Sequence, residues 1–566
     1  MTISRRQAIK IISGSGLALY LSPVLGTPRP AYAADGKLEA DFLRRFSPID
    51  RTLEDKAYPD FFGDDPTRAH QILWNKQGFV AGAGAKAPAS TEKASVVVIG
   101  GGISGLTTAY LLREHKPIVL EQARRFGGNA QGHSWRGVEY AIGAAYACEP
   151  GEDTDIAKLF TELGLSERWK LKEGEDPVAL RGKIFKEFWT GETEPDPKAR
   201  AQFETLSGYF KKVLDGTELA YPDIPIVDEE KRSYVEELDA KSFRTHLEEI
   251  AGGALHPHIE TALEHYCWSS FGASSTEISA ACGVNFYAAE FGNLVVFPGG
   301  NGAIAEALFQ KLSKEVSPAN LRCEALVYDV AVTPEGVVVS YQDGEGKVRR
   351  IEAKAVVMAC PKFVAAKLID GLEQERLDAI RKLRYHSYLV ANVCLANAHS
   401  DPFYDLYLLG EGATKSAQFQ EHTRKQKITD VILATFAKAD AKSTVLTLYR
   451  GLPYDGARGE LFVPDSYKRY RGEFEKQIVD EILPLLHRKK QEVVDLRIAR
   501  WGHPLPVAAT GLIKDGVVAK LRAPFKEKVF FVEQDSWALP AIETALTEAF
   551  TWAPEIEKLL APAKVA

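Results

Sequence analysis

Among 566 residues there are only six cysteines, Cys148, Cys267, Cys282, Cys323, Cys360 and Cys394, and no two form a CxxC pair. That scatter excludes the common metal-ribbon and dithiol-redox motifs, and no metal site is indicated. Most of the six read as buried thiols, although an oxidising compartment would permit a disulfide. Twelve histidines are too few and too dispersed to name an axial pair for a haem. Basic residues are not in excess, with 70 Lys and Arg against 77 Asp and Glu. This disfavours nucleic acid and anionic lipid as partners. Internal repeats are missing, as is any apolar run of the ~20 residues that a spanning helix needs. The balance of 45% hydrophobic and 26% charged residues is that of a globular protein, which excludes disorder.

What is present begins at the N-terminus. Arg5-Arg6 and Lys10 precede an apolar stretch from Ile11 to Leu25, and Ala31-Tyr32-Ala33 follows as a small-x-small cleavage site before Ala34. This order is that of a signal peptide, and the paired arginines with a glycine-containing middle resemble a twin-arginine signal. The expected partner is the twin-arginine translocase and the expected location the periplasm. Removing residues 1–33, with Arg5, Arg6, Lys10 and Arg29, takes the formal charge from −7 to −11. An acidic mature chain weakly favours cationic small molecules.

The length suits two closely associated domains. Asp35 to Phe79 reads as an irregular, aromatic-rich arm, and Ala81 to Ser90 as a flexible connector of small residues. From Ser95 the pattern changes. Val96-Val97-Val98-Ile99 is a buried parallel strand, Leu106 to Glu114 a helix, and Pro117 to Leu120 a second buried strand, giving a β-α-β unit. Residues from about Asp153 to Cys282 read as mainly helical. Strands return at Ala325–Val330, Gly336–Tyr341 and Ala355–Ala359. A last strand, Val529–Val532, leads into a helix near Pro540.

Inside the β-α-β unit, Gly100-Gly101-Gly102-Ile103-Ser104-Gly105 satisfies GxGxxG, with an acid at Glu121. Gly100 permits the tight turn, Gly102 lets the backbone approach a pyrophosphate, and Gly105 allows close helix-strand packing. The helix N-terminus at Ile103 and Ser104 offers N–H groups to that pyrophosphate. Glu121 can accept hydrogen bonds from ribose hydroxyls. The fingerprint by itself does not separate FAD from NAD.

Glu121-Gln122-Ala123-Arg124-Arg125-Phe126-Gly127-Gly128 resembles the ExxxRxGG run of the flavin-containing amine oxidase superfamily. That superfamily takes in monoamine and polyamine oxidases and phytoene-type desaturases. The resemblance implies non-covalent FAD, with Arg125, Gly127 and Gly128 near its diphosphate and Asn129 where many members have another arginine. Phe297-Pro298-Gly299-Gly300-Asn301-Gly302 is similar to the family's FPGG segment. Val327 falls at its adenine-contacting strand position. Asp535-Ser536-Trp537-Ala538-Leu539-Pro540-Ala541-Ile542 resembles the second FAD motif, in which Asp535 would meet the ribityl chain and the helix at Ile542 the flavin. Tyr58-Pro59, Gly63 and Ala69-His70 are similar to the arm of bacterial spermidine dehydrogenases.

The fold implied is α/β, a Rossmann-type FAD-binding domain with an interleaved α+β substrate domain. A signal peptide at 1–33 and an arm with its linker at 34–94 precede it. The cofactor domain would use 95–150, 283–370 and 501–566, and the substrate domain 151–282 and 371–500. The reaction implied is hydride transfer to flavin from a C–N unit of a small amine or polyamine. A desaturase or isomerase of an apolar polyene or terpenoid is the alternative, and a non-catalytic flavin-binding protein a further one. Arg500-Trp501-Gly502-His503-Pro504 resembles the family's tryptophan segment, so Trp501 and His503 are the candidate catalytic residues. The strand Tyr388 to Leu395 has no lysine where many amine oxidases hold water against the flavin. That leaves either oxygen or another periplasmic carrier as electron acceptor.

Overall fold

A computed structural model describes residues 36–53, 58–84, 92–398, 403–410, 427–438, 440–453 and 456–561. The expected signal peptide at 1–33 lies outside them, as do residues 85–91 of the connector.

Val96, Val97 and Val98 are fully buried, as a central parallel strand requires. Their strand, Glu92–Ile99, has parallel neighbours in Ile118–Leu120 and Val348–Met358. Beyond Ile118–Leu120 lies Leu321–Arg322, and Val529–Phe531 adds in parallel to the end of Val348–Met358. The first half of Val348–Met358 instead pairs antiparallel with Val337–Gln342, which pairs with Leu326–Val332. Alternation sends Val96 and Val98 toward the helices Ile103–Leu111, Gly302–Glu315 and Ile542–Leu560. Val97 and Ile99 point to the opposite layer, with Leu368 and Leu521.

The second body is an eight-stranded sheet. In spatial order its strands are Lys183–Phe185, Val178–Leu180, Tyr407–Gly410, Asp430–Leu433, Thr444–Leu452, Tyr385–Leu395, Val493–Pro506 and Phe62–Gly63. Every residue of Tyr385–Leu395 and Thr444–Leu452 is buried, so both faces are covered. One face carries Tyr470 and Phe474 of the helix Ser466–Gln477, and the other an aromatic cluster that includes Trp135, Tyr140, Tyr388, Tyr449 and Trp501. The helices Pro197–Asp215, Phe243–Ala251, Pro257–Ser270 and Ala280–Ala289 form a separate apolar body.

Several expectations change. The arm is not irregular, because Gly36–Phe46, Thr67–Leu73 and Lys76–Gly84 are helical and two short strands join sheets. Residues 81–84 of the connector finish the last of these helices rather than forming a loop. The helical span also contains the strands Lys170–Lys172, Val178–Leu180 and Lys183–Phe185. The expected break at 500/501 falls inside Val493–Pro506, whose pairing with Tyr385–Leu395 continues to Pro506 and keeps Trp501 in the substrate sheet. All six cysteines carry free thiols. Among the described residues, no helix is long and apolar enough to cross a membrane.

Candidate active site

The turn after Glu92–Ile99 is built from glycine because nothing larger fits. Gly100 has φ +115°, and a Cβ on it would lie 2.2 Å from the Ala359 carbonyl oxygen. A Cβ on Gly105 would lie 2.0 Å from the Gly100 oxygen, so the helix Ile103–Leu111 sits directly on the turn. Gly102 is different. Its Cβ would come no closer than 3.7 Å, to Gly128, and both glycines line a large cavity. Gly127 donates its N–H to Gly101 O at 2.8 Å, which fixes the two glycine runs back to back.

Glu121 is buried at the end of its strand, and its carboxylate accepts from Gly101 N–H and Ala123 N–H, each at 2.7 Å. Burial raises its pKa, and those backbone donors partly reverse the effect. Arg125 ion-pairs with Asp50 of the arm at 2.8 Å and also lines the cavity. Asn129 donates to Pro504 O at 2.8 Å, tying the glycine run to the segment after Trp501. Val327 is buried at a register shift in its strand.

At the far end of the chain, Asp535 accepts from Tyr385 Oη at 2.5 Å and from Lys362 N–H at 2.9 Å. Burial raises its pKa. Lys362 Nζ pairs with the buried Glu533 and donates to Ser536 Oγ at 2.8 Å. Gln534, where the family resemblance expects glycine, donates to Pro504 O at 2.7 Å. The helix Ile542–Leu560 starts at the cavity wall, and Ala541 at its N-cap supplies no side-chain cap. Its first N–H groups and positive dipole end therefore meet the cavity.

Trp501 donates Nε1–H to Ile142 O at 2.6 Å. It lies opposite Tyr388 in the sheet. His503 packs on Phe363 in a tilted pair, ring centroids 4.6 Å and planes 33° apart. Burial, with Arg458 and His70 nearby, pushes its pKa down to about 3, so its imidazole is neutral at physiological pH.

All the sequence-derived site residues except Gly105 line one continuous cavity of about 3550 Å³. That is several times the ~300–1,000 Å³ of an ordinary ligand pocket. The same cavity includes residues that sequence reasoning missed, among them Asp430, Tyr449, Ser269, Tyr266 and Glu290. Asp430 Oδ1 accepts from Ser269 Oγ at 3.0 Å, and Tyr388 Oη donates to Ser269 O at 2.7 Å. Glu290 accepts from Tyr266 Oη at 3.0 Å and Tyr146 Oη at 3.3 Å. Burial raises the Asp430 pKa to about 6 and that of Glu290 to about 7. The only advance signal was an acid bordering a β-branched run, Asp430-Val431-Ile432-Leu433, and such acids are common.

Elsewhere Glu194, His256 and His258 converge within 4.8 Å. His256 Nδ1 accepts the His258 N–H at 3.2 Å, which leaves the ring proton on Nε2, 2.9 Å from Glu194. That tautomer caps the helix Pro257–Ser270 and turns a proton, not a lone pair, toward the carboxylate.

The model of the flavin-containing amine oxidoreductase family matches residues 103–527. The chain belongs to that family. Oxidoreductase PigB of a Serratia species is 24% identical over 517 residues, covering 80% of this chain and 74% of PigB. A putrescine oxidase solved with putrescine bound superposes with a TM-score of 0.60 at 17% identity, over 83% of this chain and all of that one. A fatty acid isomerase from P. acnes gives 0.58 at 14% identity, over 81% of this chain and 98% of that one. The fold is thus the two-domain amine oxidase α/β fold, and the protein is an FAD-dependent oxidoreductase. The shared fold of an oxidase and an isomerase leaves the choice of substrate to the site.

The residues present fit a flavin dinucleotide. The slot between Gly102 and Gly128 is open only because neither has a Cβ, and the helix N-termini at Ile103 and Ile542 both face the cavity. His133 is buried on the cavity wall with Nδ1 unpartnered.

Proposed function

We propose that the protein oxidises a C–N bond of a small amine or polyamine, using non-covalently bound FAD. The carrying observation is the pair of carboxylates, buried Asp430 and partly buried Glu290, that line the same cavity as Trp501, Tyr388 and Tyr449. In the proposed site Gly100, Gly102, Ile103, Ser104, Glu121 and Val327 hold the adenosine and diphosphate. Arg125, Gly127, Gly128 and Asn129 border the diphosphate, and Asp535 and Ile542 the ribityl chain and ring. When bound, the flavin accepts a hydride equivalent from the carbon beside nitrogen.

The chain's own residues divide the remaining work. Asp430 lies opposite Tyr449, and Trp501 opposite Tyr388, two residues along the shared strand pair, so the four side chains run diagonally across four strands. Three interstrand steps with that two-residue offset put the acid about 16 Å from Trp501, backbone to backbone. A long cation can therefore keep one ammonium against Asp430 or Glu290 while its other nitrogen lies among aromatic walls. There desolvation lowers the ammonium pKa and favours the neutral amine that is oxidised. Trp501 acts by shape, since its one donor is engaged by Ile142. His503, neutral and packed on Phe363, is a wall of the cofactor site rather than a base.

Asp223, Asp228 and the 76% exposed Val227 line the cavity where it meets solvent; Lys231 pairs with Asp223, which leaves Asp228 as the acid that faces approaching cations. These acids weigh against an apolar polyene or terpenoid as substrate. The test is anaerobic titration of the purified protein with monoamines, diamines, spermidine and polyenes, followed at the flavin band near ~450 nm. Bleaching by a diamine or polyamine supports the reading, and bleaching by polyenes alone refutes it.

We further propose that residues 1–33 direct twin-arginine export to the periplasm, on the motif alone. Replacing Arg5 and Arg6 by lysine should leave the protein in the cytoplasmic fraction. The lysine-free strand Tyr385–Leu395 supports a carrier other than oxygen as acceptor, and stopped-flow reoxidation with oxygen and with a quinone compares the two.

A further inference from the structure

The arm lies before the residues that the family model matches, which start at 103, and it has a place in the cofactor site that the motifs do not supply. Nearly every residue from Tyr58 to Trp74 lines the large cavity. Tyr58 is 44% and Trp74 52% exposed, so the cavity meets solvent beside both ends of this segment. The same cavity is lined by Glu121, Val327 and His503, which border the proposed adenosine and diphosphate positions. The segment is therefore one wall of a tunnel whose other walls are the two domains.

Its attachment combines polar contacts with a few half-buried rings, Phe61 against Tyr467, Phe62 against His133 and His70 against Phe462. The helix Thr67–Leu73 buries one residue, Ile72, and the strand Phe62–Gly63 is two residues long. On the cofactor side, the Arg68 guanidinium donates to the carbonyls of Glu324 at 2.8 Å, Gln342 at 2.5 Å and Asp343 at 2.7 Å. On the substrate side, Asp64 accepts the Gly502 N–H at 2.7 Å and donates its own N–H to Arg500 O at 2.8 Å. Tyr467 Oη donates to Tyr58 O at 3.0 Å. Glu92–Ile99, by contrast, has four fully or nearly fully buried β-branched residues and neighbours on both sides. Segments with few buried apolar contacts open at lower free energy than the core strands.

We propose that residues 58–74 are a hinged wall of the cofactor site, which opens locally to admit FAD from the adenosine side and then retains it. Arg68 and Asp64 are its positioning residues. The wall bridges both domains, so its closure fixes them around the cofactor. The inference rests on FAD being the cofactor and is independent of which substrate is oxidised.

The test uses the full-length holoprotein without substrate. Flavin release is followed by the rise in free-flavin fluorescence, and amide hydrogen exchange is read by mass spectrometry. In the wild type, amides of 58–74 should exchange faster than those of 92–111. Arg68→Ala should speed both that exchange and flavin release by about tenfold or more, since three carbonyl contacts to a charged donor are lost. Amides of 92–111 should stay protected. Unchanged flavin release with 58–74 deprotected overturns the proposal, as does wild-type exchange of 58–74 no faster than that of 92–111. If Arg68→Ala unfolds globally, a wild-type urea series decides. Flavin loss coincident with exchange of 58–74, below the global transition, supports the hinged wall, and loss only at the global transition refutes it.

Discussion

The three glycines of the first turn have different duties, and substitution separates them. Gly105→Ala forces a Cβ to 2.0 Å from a backbone oxygen, and Gly100→Ala adds a positive φ. Both should destabilise the apoprotein, by about 1–3 kcal/mol for the strain or overpacking. Gly102→Ala meets nothing closer than 3.7 Å in the chain itself. It should leave the apoprotein Tm within a degree or two and yet lower the flavin-to-protein absorbance ratio, because its methyl group occupies the cradle. Trp501→Phe keeps a ring but strips a buried carbonyl, Ile142 O, of its donor, at a cost of about 1–3 kcal/mol. A slowed anaerobic reduction rate beyond that stability loss is the expected sign of a wall role. These residues were legible in the sequence because each acts within a few positions of a local motif.

Among elements, the turn Gln534–Ser536 is held by a lysine that no motif announced. Lys362 is buried and its partner Glu533 has a pKa raised to about 8 by burial, even with the lysine beside it. Lys362→Met removes the counter-charge. Without the lysine the Glu533 pKa rises further, so below pH 8 the loss is moderate, whereas above pH 8 the variant must hold protonated, or bury bare, a carboxyl that the wild type ionises beside its counter-charge. Thermal denaturation should show a larger Tm deficit at pH 9 than at pH 6, approaching the 3–5 kcal/mol of a broken buried pair. Legibility falls off at this scale. The strands Val96–Ile99 and Val529–Val532 could be read from continuous β-branched or aromatic runs. The arm helices could not, because they are short and are held by tertiary contacts such as Phe42 on Phe309, Arg68 on Glu324 and Phe79 on Tyr328. The boundary at 500/501 was misplaced because the strand carrying Trp501 outlasts the motif that identifies it.

For the whole molecule, the buried acids couple charge to both binding and stability. Asp430 and Glu290 have folded-state pKa values raised to about 6 and about 7, above the ordinary carboxylate range. The folded state therefore holds more protons than the unfolded state between that range and pH 7, and their contribution to stability falls as pH rises through this window. A bound polyamine favours the charged carboxylates, so its stabilising effect should grow over the same interval. Tm measured with and without spermidine from pH 5 to 8 checks both trends. Asp430→Asn should raise KM for a diamine about tenfold or more and change that for a monoamine far less, since one charge-assisted contact is lost. Asp430, Tyr449, Tyr388 and Trp501 sit on four strands drawn from residues 385 to 506, and Glu290 follows the helix Ala280–Ala289, so no local pattern could have displayed the set.

The cofactor sheet is assembled from three separated stretches, 92–120, 321–358 and 529–531, and the last of these pairs with the end of Val348–Met358. A ribosome-bound chain that has exposed the glycine turn still lacks Asp535 and the helix Ile542–Leu560. Flavin capture is accordingly an event that follows translation. If residues 1–33 direct export of folded cargo, as proposed, the seating of Val529–Phe531 beside Val348–Met358 would mark the point at which the cofactor domain can pass as folded.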